Sequence, residues 1–68
     1  MTVGTQLKQT LAGLKGVQNT VKIYALQTEN QDIKKVFQEA VCVTGEIIQD
    51  LEERLKILEF EEPQYKGL

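Results

Sequence analysis

The stretch QTENQD, residues 27–32, is polar throughout and separates two segments of helical periodicity. Thr28 followed by Gln31 has the form of a capping box, and Asn30 and Asp32 are also residue types favoured at a helix N-terminus. Only a turn of a few residues fits between the two segments. The chain is therefore expected to fold back on itself as an antiparallel two-helix hairpin.

Apolar residues recur at alternating steps of four and three on both sides of this turn. The stripe of the first segment is Leu7, Leu11, Leu14, Gln18, Val21 and Ala25. The stripe of the second is Ile33, Phe37, Ala40, Thr44, Ile47, Leu51, Arg54 and Leu58. These stripes predict a single all-α domain with helix 1 at about 3–27, a turn at about 28–30, helix 2 at about 31–61 and a C-terminal tail at 62–68.

If the two stripes face each other, Leu11 lies opposite Ile47 and Leu14 lies opposite Thr44. Gln18 and Thr44 are the uncharged polar members of the stripes. They are interpreted either as a tolerated layer that contacts water or as residues that set the register of a dimer, as single polar core residues do in coiled coils.

Helix 2 carries more apolar residues than one seam can cover. Val41, Ile48 and Leu55 lie beside its stripe at a seven-residue spacing, and Val36, Val43 and Ile57 flank the other side. Helix 1 adds Val17, Ile23, Tyr24 and Leu26. The single core of a 68-residue chain rarely stabilises a monomer strongly. Two hairpins are therefore expected to form a homodimeric four-helix bundle, with Val41, Ile48 and Leu55 at the interface between the chains.

Composition narrows the possible chemistry. The net charge is −2, Cys42 is the single cysteine and histidine is absent, so neither an intrachain disulfide nor a histidine-based metal site is possible. No broad basic field is present to attract nucleic acid. The sequence shows no signal peptide and no apolar run long enough to span a bilayer. A soluble cytoplasmic protein is expected.

Catalysis and cofactor binding are not expected. Glu46, Asp50 and Glu53 share a helical face, but di-iron bundles use Glu-x-x-His pairs that point inward, so these carboxylates are interpreted as solvated surface. Cys42 lies in mid-helix, away from the helix N-terminus that would activate a thiol. Without histidine, a nucleophile lacks its usual base.

Two further patterns have two interpretations each. Lysines repeat every seven residues at positions 8, 15 and 22, and glutamates do so at 39, 46 and 53; they form either two solvated faces or cross-helix pairs. Gly13 and Gly16 each weaken a helix interior. They either permit the close approach of another helix or mark a weak stretch.

Pro63 disfavours helical geometry at Glu62, so helix 2 is expected to end near Glu61. Phe60, Tyr65 and Leu68 then form an overhang that has no partner in its own hairpin. The overhang is interpreted either as a lid over the end of the bundle or as a docking peptide, in which Phe60, Pro63 and Tyr65 are the candidate contacts with another protein.

The chain also resembles a known family. The opening segment TVGTQ-KQTLAGLKG and the closing segment EEPQYKG are similar to a small uncharacterised family of endospore-forming bacilli. Its members are often encoded beside stage V sporulation A type germination channel proteins. The stretch ALQTENQDIKKVFQEA is also similar to the inter-helix turn of ferritin-like spore coat proteins. The first resemblance implies a sporulation or spore-membrane context and assigns no catalytic or metal-binding residue.

These observations predict a non-enzymatic helical adaptor or structural protein linked to sporulation or spore resistance, with a possible protein partner in the spore or its membrane. One alternative is a ferritin-like relic that binds a metal or small ligand. Another is a peripheral membrane accessory protein that uses the lysine repeat and an apolar flank.

Overall fold

The structure, a computed structural model, describes residues 3–61. Helix α1 spans Val3–Gln27 and helix α2 spans Gln31–Glu61. The two helices pack against each other along their length, and an ion pair between Lys8 and Glu59 joins the start of α1 to the end of α2. No strand occurs within these residues. The predicted all-α antiparallel hairpin is confirmed.

Asn30 is the residue that starts α2. Its side-chain Oδ1 accepts hydrogen bonds from the backbone N–H groups of Asp32 and Ile33, at 3.0 and 3.1 Å. These donors have no partner within the first turn of a helix, so the side chain satisfies two of them. The expected capping box of Thr28 and Gln31 is therefore wrong: the N-cap lies two residues later. Asp32 follows in the first turn, where a negative charge is favoured by the helix dipole.

We expect Asn30→Ala to lower the free energy of unfolding by about 1 kcal/mol, because two backbone donors lose their acceptor. Thr28→Ala is the matched control and should leave it nearly unchanged. Urea unfolding followed by circular dichroism, at one protein concentration for all variants, measures both values. A larger loss for Thr28→Ala than for Asn30→Ala would contradict the cap.

The stripe predicted for helix 1 lies in the seam of the hairpin. Leu11 and Ala25 are buried, with 5% and 7% of their surface exposed. The other members are half-buried: Leu7, Leu14, Gln18 and Val21. Gly4 is buried in line with them, one turn before Leu7. This prediction is confirmed.

The stripe predicted for helix 2 is correct at some positions and wrong at others. Phe37, Thr44, Leu51 and Leu58 are half-buried. In contrast, Ile33 and Ile47 are 46% and 47% exposed, and Arg54 is exposed. Their places in the seam are taken by Lys34, Ile48 and Leu55; Ile48 is only 6% exposed and the other two are half-buried. The seam of α2 thus lies one residue to the side of the predicted stripe.

Contacts between the helices lie further along α2 than the predicted pairing implies. Gln18 bonds to the carbonyl of Val41 and approaches Gly45, just beyond Ala40, and the long side chain of Lys15 reaches Glu52. Ile47 and Ile48 are equally apolar, so periodicity does not distinguish them. The residues seven positions further on distinguish them. A seam through Ile47 would enclose the charged Arg54, whereas a seam through Ile48 encloses Leu55.

Both uncharged polar residues of the predicted stripes, Gln18 and Thr44, are bonded to backbone. The Gln18 amide donates to the Val41 carbonyl at 3.1 Å, and the Thr44 hydroxyl donates to the Ala40 carbonyl at 2.7 Å. Among the residues described, no buried side-chain N or O atom lacks a partner. A Cβ at Gly45 would stand 3.0 Å from Gln18 Nε2, so this glycine leaves room for the amide. Sequence periodicity gives no signal for that contact.

Alanine substitutions test this role of Gly45. Gly16→Ala should raise the free energy of unfolding by up to about 1 kcal/mol, since nothing lies within 4 Å of its Cβ position. Gly45→Ala should raise it by less, because the Gln18 amide must move. In a Gln18→Ala background the two gains should agree within about 0.5 kcal/mol. Equal gains in the wild-type background, measured by urea unfolding, would show that the contact has no effect.

Candidate interaction surface

The seam divides the surface of the hairpin into two flanks of different chemistry. Residues that directly follow a seam residue in the sequence lie on one side of the seam, and residues that directly precede one lie on the other side. Because the helices are antiparallel, equivalent positions of α1 and α2 meet on the same side. We call these sides the ion-paired flank and the apolar flank.

The ion-paired flank is closed by two bridges between the helices. Lys8 Nζ lies 3.4 Å from Glu59 Oε1, and Lys15 Nζ lies 3.2 Å from Glu52 Oε2. Of the two interpretations of the lysine repeat, cross-helix pairing therefore holds for Lys8 and Lys15. Their partners are Glu52 and Glu59, not the glutamates at positions 39, 46 and 53.

Two shallow grooves lie on this flank. A groove of about 350 Å³ near the turn is lined by Lys22, Ala25, Leu26, Lys34, Gln38 and Val41. A groove of about 330 Å³ near the other end is lined by Lys8, Leu11, Ala12, Lys15, Glu52, Leu55, Lys56 and Glu59. The paired lysine and glutamate side chains border the second groove, so four of its charged groups are already engaged with one another.

The apolar flank has the opposite character. Each of its residues directly precedes a seam residue in the sequence. Its large apolar side chains are 46–62% exposed: Val3, Val17, Tyr24, Ile33, Val36, Val43, Ile47 and Ile57. Ala40 lies among them. Exposed apolar residues are normal when scattered singly, but a continuous set along one side of a molecule indicates an interaction surface.

This flank is nearly free of charge. Within residues 3–61, its only charged side chains are Asp50 and Arg54, which bond to each other at 3.0 Å between Nε and Oδ2. Towards the turn, the Tyr24 ring lies 5.8 Å from the Phe37 ring, tilted by 51°. Tyr24 is 49% exposed, so one part of the ring packs on the seam and the rest faces outward. Depletion of charge together with an exposed aromatic ring is typical of the centre of a protein interface.

The structure separates the residues predicted to bind partners. Val41, Ile48 and Leu55 lie in the seam, and Ile48 already packs within its own chain; their role between chains stays a prediction. Phe60 is 84% exposed at the end of α2. Pro63 and Tyr65 lie outside the described residues. The sequence indicates only part of the apolar flank, through Val36, Val43 and Ile57 of helix 2 and Val17 and Tyr24 of helix 1.

The acidic residues and the cysteine of α2 form no metal site within the described part of the chain. No group of three or more Cys, Asp or Glu side chains converges there as a metal site would require. Glu46, Glu53 and Asp50 are exposed on α2. Cys42 is exposed as well, and its Sγ lies 4.0 Å from Glu46 Oε1, one turn along the same helix.

Comparison with known proteins places the chain in a family. A family model described as "Protein of unknown function (DUF1657)" matches residues 7–55, well over half of the chain. The chain belongs to the DUF1657 family. The prediction of a small family without an assigned function is thus confirmed. No curated protein and no solved structure matches the chain. Across residues 3–61, neither helix has an apolar stretch that would cross a bilayer.

We expect the bridge between Lys15 and Glu52 to contribute little stability but to favour one register. Lys15→Glu should destabilise the hairpin by up to about 1 kcal/mol, and Glu52→Lys in the same chain should restore most of the loss. The coupling should weaken in 1 M salt, because the side chains are 52% and 45% exposed. Glu53→Lys is the matched control and should restore nothing; restoration by Glu53→Lys in thermal unfolding would contradict the pairing.

Proposed function

We propose that this DUF1657 protein is a non-enzymatic structural or adaptor protein that works by self-association, with two hairpins forming a four-helix bundle. The observation that carries this proposal is the apolar flank. It runs along both helices, it is almost uncharged, and its side chains are about half exposed in the single hairpin. A surface of this kind is stable in water only when something covers it.

The size of the flank supports a dimer. Exposed fractions of 46–62% on eight residues of this size amount to roughly 800 Å² in each copy, which is what one partner contributes to an interface of standard size. Buried area alone does not determine affinity. The hairpin nevertheless has enough apolar surface to form a specific dimer without any further segment.

The chemistry of the side chains supports a role other than catalysis. The chain lacks histidine, and the described carboxylates of α2 form no convergent group that could hold a metal ion. A ferritin-like metal site would need carboxylates that converge inside the bundle, and in α1 the described part, Val3–Gln27, contains no Asp or Glu at all. Binding and assembly are the activities that the residues support.

The biological setting that we propose is spore formation or spore resistance. This setting rests on the resemblance of the opening and closing segments to proteins of endospore-forming bacilli; the matched family itself has no assigned function. In that setting the dimer would act as a soluble component of the cytoplasm or the spore. Phe60, exposed at the end of α2, would be available to a protein partner.

Dimerisation is tested with a charge placed on each flank. Ile47→Asp should convert a dimer to a monomer at micromolar concentration, because each copy would bury an unpaired carboxylate. Leu26→Asp is the matched control: Leu26 is 80% exposed on the ion-paired flank, and its substitution should leave the dimer intact. Sedimentation equilibrium gives the mass of each variant. A monomeric wild-type chain would disprove self-association.

The same variants test the setting. In a spore-forming bacterium that carries the gene, Ile47→Asp should reproduce the effect of deleting the gene on spore heat resistance or germination, whereas Leu26→Asp should behave as wild type. Normal spores from the deletion strain would disprove the proposed role in sporulation, whatever the oligomeric state.

A further inference from the structure

The apolar flank is not uniform: its two helices contribute strips of different polarity. On α2 the strip is Ile33, Val36, Ala40, Val43, Ile47, Asp50, Arg54 and Ile57, which is apolar except for one internal ion pair. On α1 the large side chains Val3, Val17 and Tyr24 alternate with small or polar residues, among them Gln6, Thr10, Gly13, Thr20 and Gln27. The α2 strip is therefore the part of the flank that most needs an apolar cover.

Two hairpins can stack through this flank in two ways that have two-fold symmetry. If the two-fold axis runs along the helices, the turns lie at the same end and each α2 packs on the α1 of the other copy. If the axis crosses the helices, the turns lie at opposite ends. Each α2 then packs antiparallel on the other α2, and each α1 on the other α1.

We infer that the second copy docks with its turn at the opposite end, so that α2 packs on α2. In this arrangement the apolar strip of each α2 covers the apolar strip of the other. In the alternative, Val36, Val43 and Ile57 would face the strip of α1 that contains Gln6, Thr20 and Gln27. The amides of Gln6 and Gln27 would then lose water against apolar side chains that offer no hydrogen bond, whereas against a second α1 the two amides come level with each other. The inference rests on the proposed self-association and specifies its geometry.

Size and charge along the α2 strip are consistent with an axis near its middle, between Val43 and Ile47. Ile33 of one copy then comes level with Ile57 of the other. Asp50 comes level with Ala40, the smallest side chain of the strip, and Arg54, bonded to Asp50 at 3.0 Å, comes level with Val36. Because the two charges bond to each other, the pair can be covered without a partner from the second chain.

The α1 strip is compatible with the same axis. Its middle residue, Val17, lies near the axis, and Gly13 adjoins it with nothing within 4 Å of its Cβ position. The missing side chain leaves room for the second α1. Tyr24 of one copy comes level with Thr10 of the other, so a large side chain again meets a small one.

A second copy suits this flank better than a lipid surface does. Helices that lie on membranes carry lysine and arginine beside their apolar face. Here Lys8 and Lys15 lie on the opposite flank and are paired with glutamates. Arg54, the one cation on the apolar flank among the described residues, is paired with Asp50.

A distance between the two turns tests the arrangement. The full-length chain with Cys42→Ala and Glu29→Cys carries a single cysteine in the turn, where a nitroxide label is exposed. With the turns at opposite ends, the two labels of a dimer should lie about 45–50 Å apart, because some thirty residues of helix at ~1.5 Å each separate them. With the turns at the same end, they should lie within about 20 Å. Double electron–electron resonance distinguishes the two distances.

The labelled chain is also prepared with Ile47→Asp, which should remove the intermolecular distance altogether. A distance near 20 Å in a protein that sediments as a dimer would overturn the inferred arrangement and leave self-association standing. A labelled chain that sediments as a monomer and shows no dipolar signal would overturn both. So would a monomer that co-sediments with vesicles of phosphatidylcholine and phosphatidylglycerol, since lipid would then be the occupant of the flank.

Discussion

Two helices that pack side by side share a single seam, and every apolar side chain outside that seam must be covered by something else or remain in water. Most features of this molecule follow from that constraint. The seam takes one side chain from each turn of each helix, Leu11 and Ile48 being the most deeply buried of the large ones. Ile47, next to Ile48 in the chain, is left nearly half exposed although it is the same residue type. The apolar flank consists of such residues, which lie beside the seam and not in it.

The two flanks deal with their exposed position differently. On one, the long side chains of Lys8 and Lys15 cross the seam to Glu59 and Glu52. Bridges this exposed contribute little free energy, but they cover the edge of the seam with groups that water solvates well. On the other flank, most of the large side chains are valine and isoleucine, which form no hydrogen bonds with water. The ion-paired flank is thus suited to face solvent, and the apolar flank is suited to face another protein.

Small residues adjust the packing at two levels. Gly45 leaves space for the amide of Gln18, which bonds to the backbone of α2 in the middle of the seam. A polar side chain is thereby accommodated where periodicity would place an apolar one, and its hydrogen bond depends on one particular alignment of the helices. Gly13 and Gly16 have no such neighbour within the hairpin. No contact in the single chain offsets their cost to the stability of the helix. Gly13 lies on the apolar flank, where its missing side chain leaves room for the second α1 of the proposed dimer.

The sequence by itself determined the hairpin, the position of the turn in residues 27–32, the seam of α1 and the surplus of apolar residues on α2. It also excluded any chemistry that needs histidine. All of these depend on residue type and on a period of 3.6. Only the tertiary structure decided that Asn30 and not Thr28 caps α2, that Ile48 and not Ile47 lies in the seam, and which glutamates meet the lysines. The physical reason is that adjacent positions of a helix differ by about 100°. When both are apolar, the choice between them depends on what the opposite helix would enclose further along, here Arg54 or Leu55.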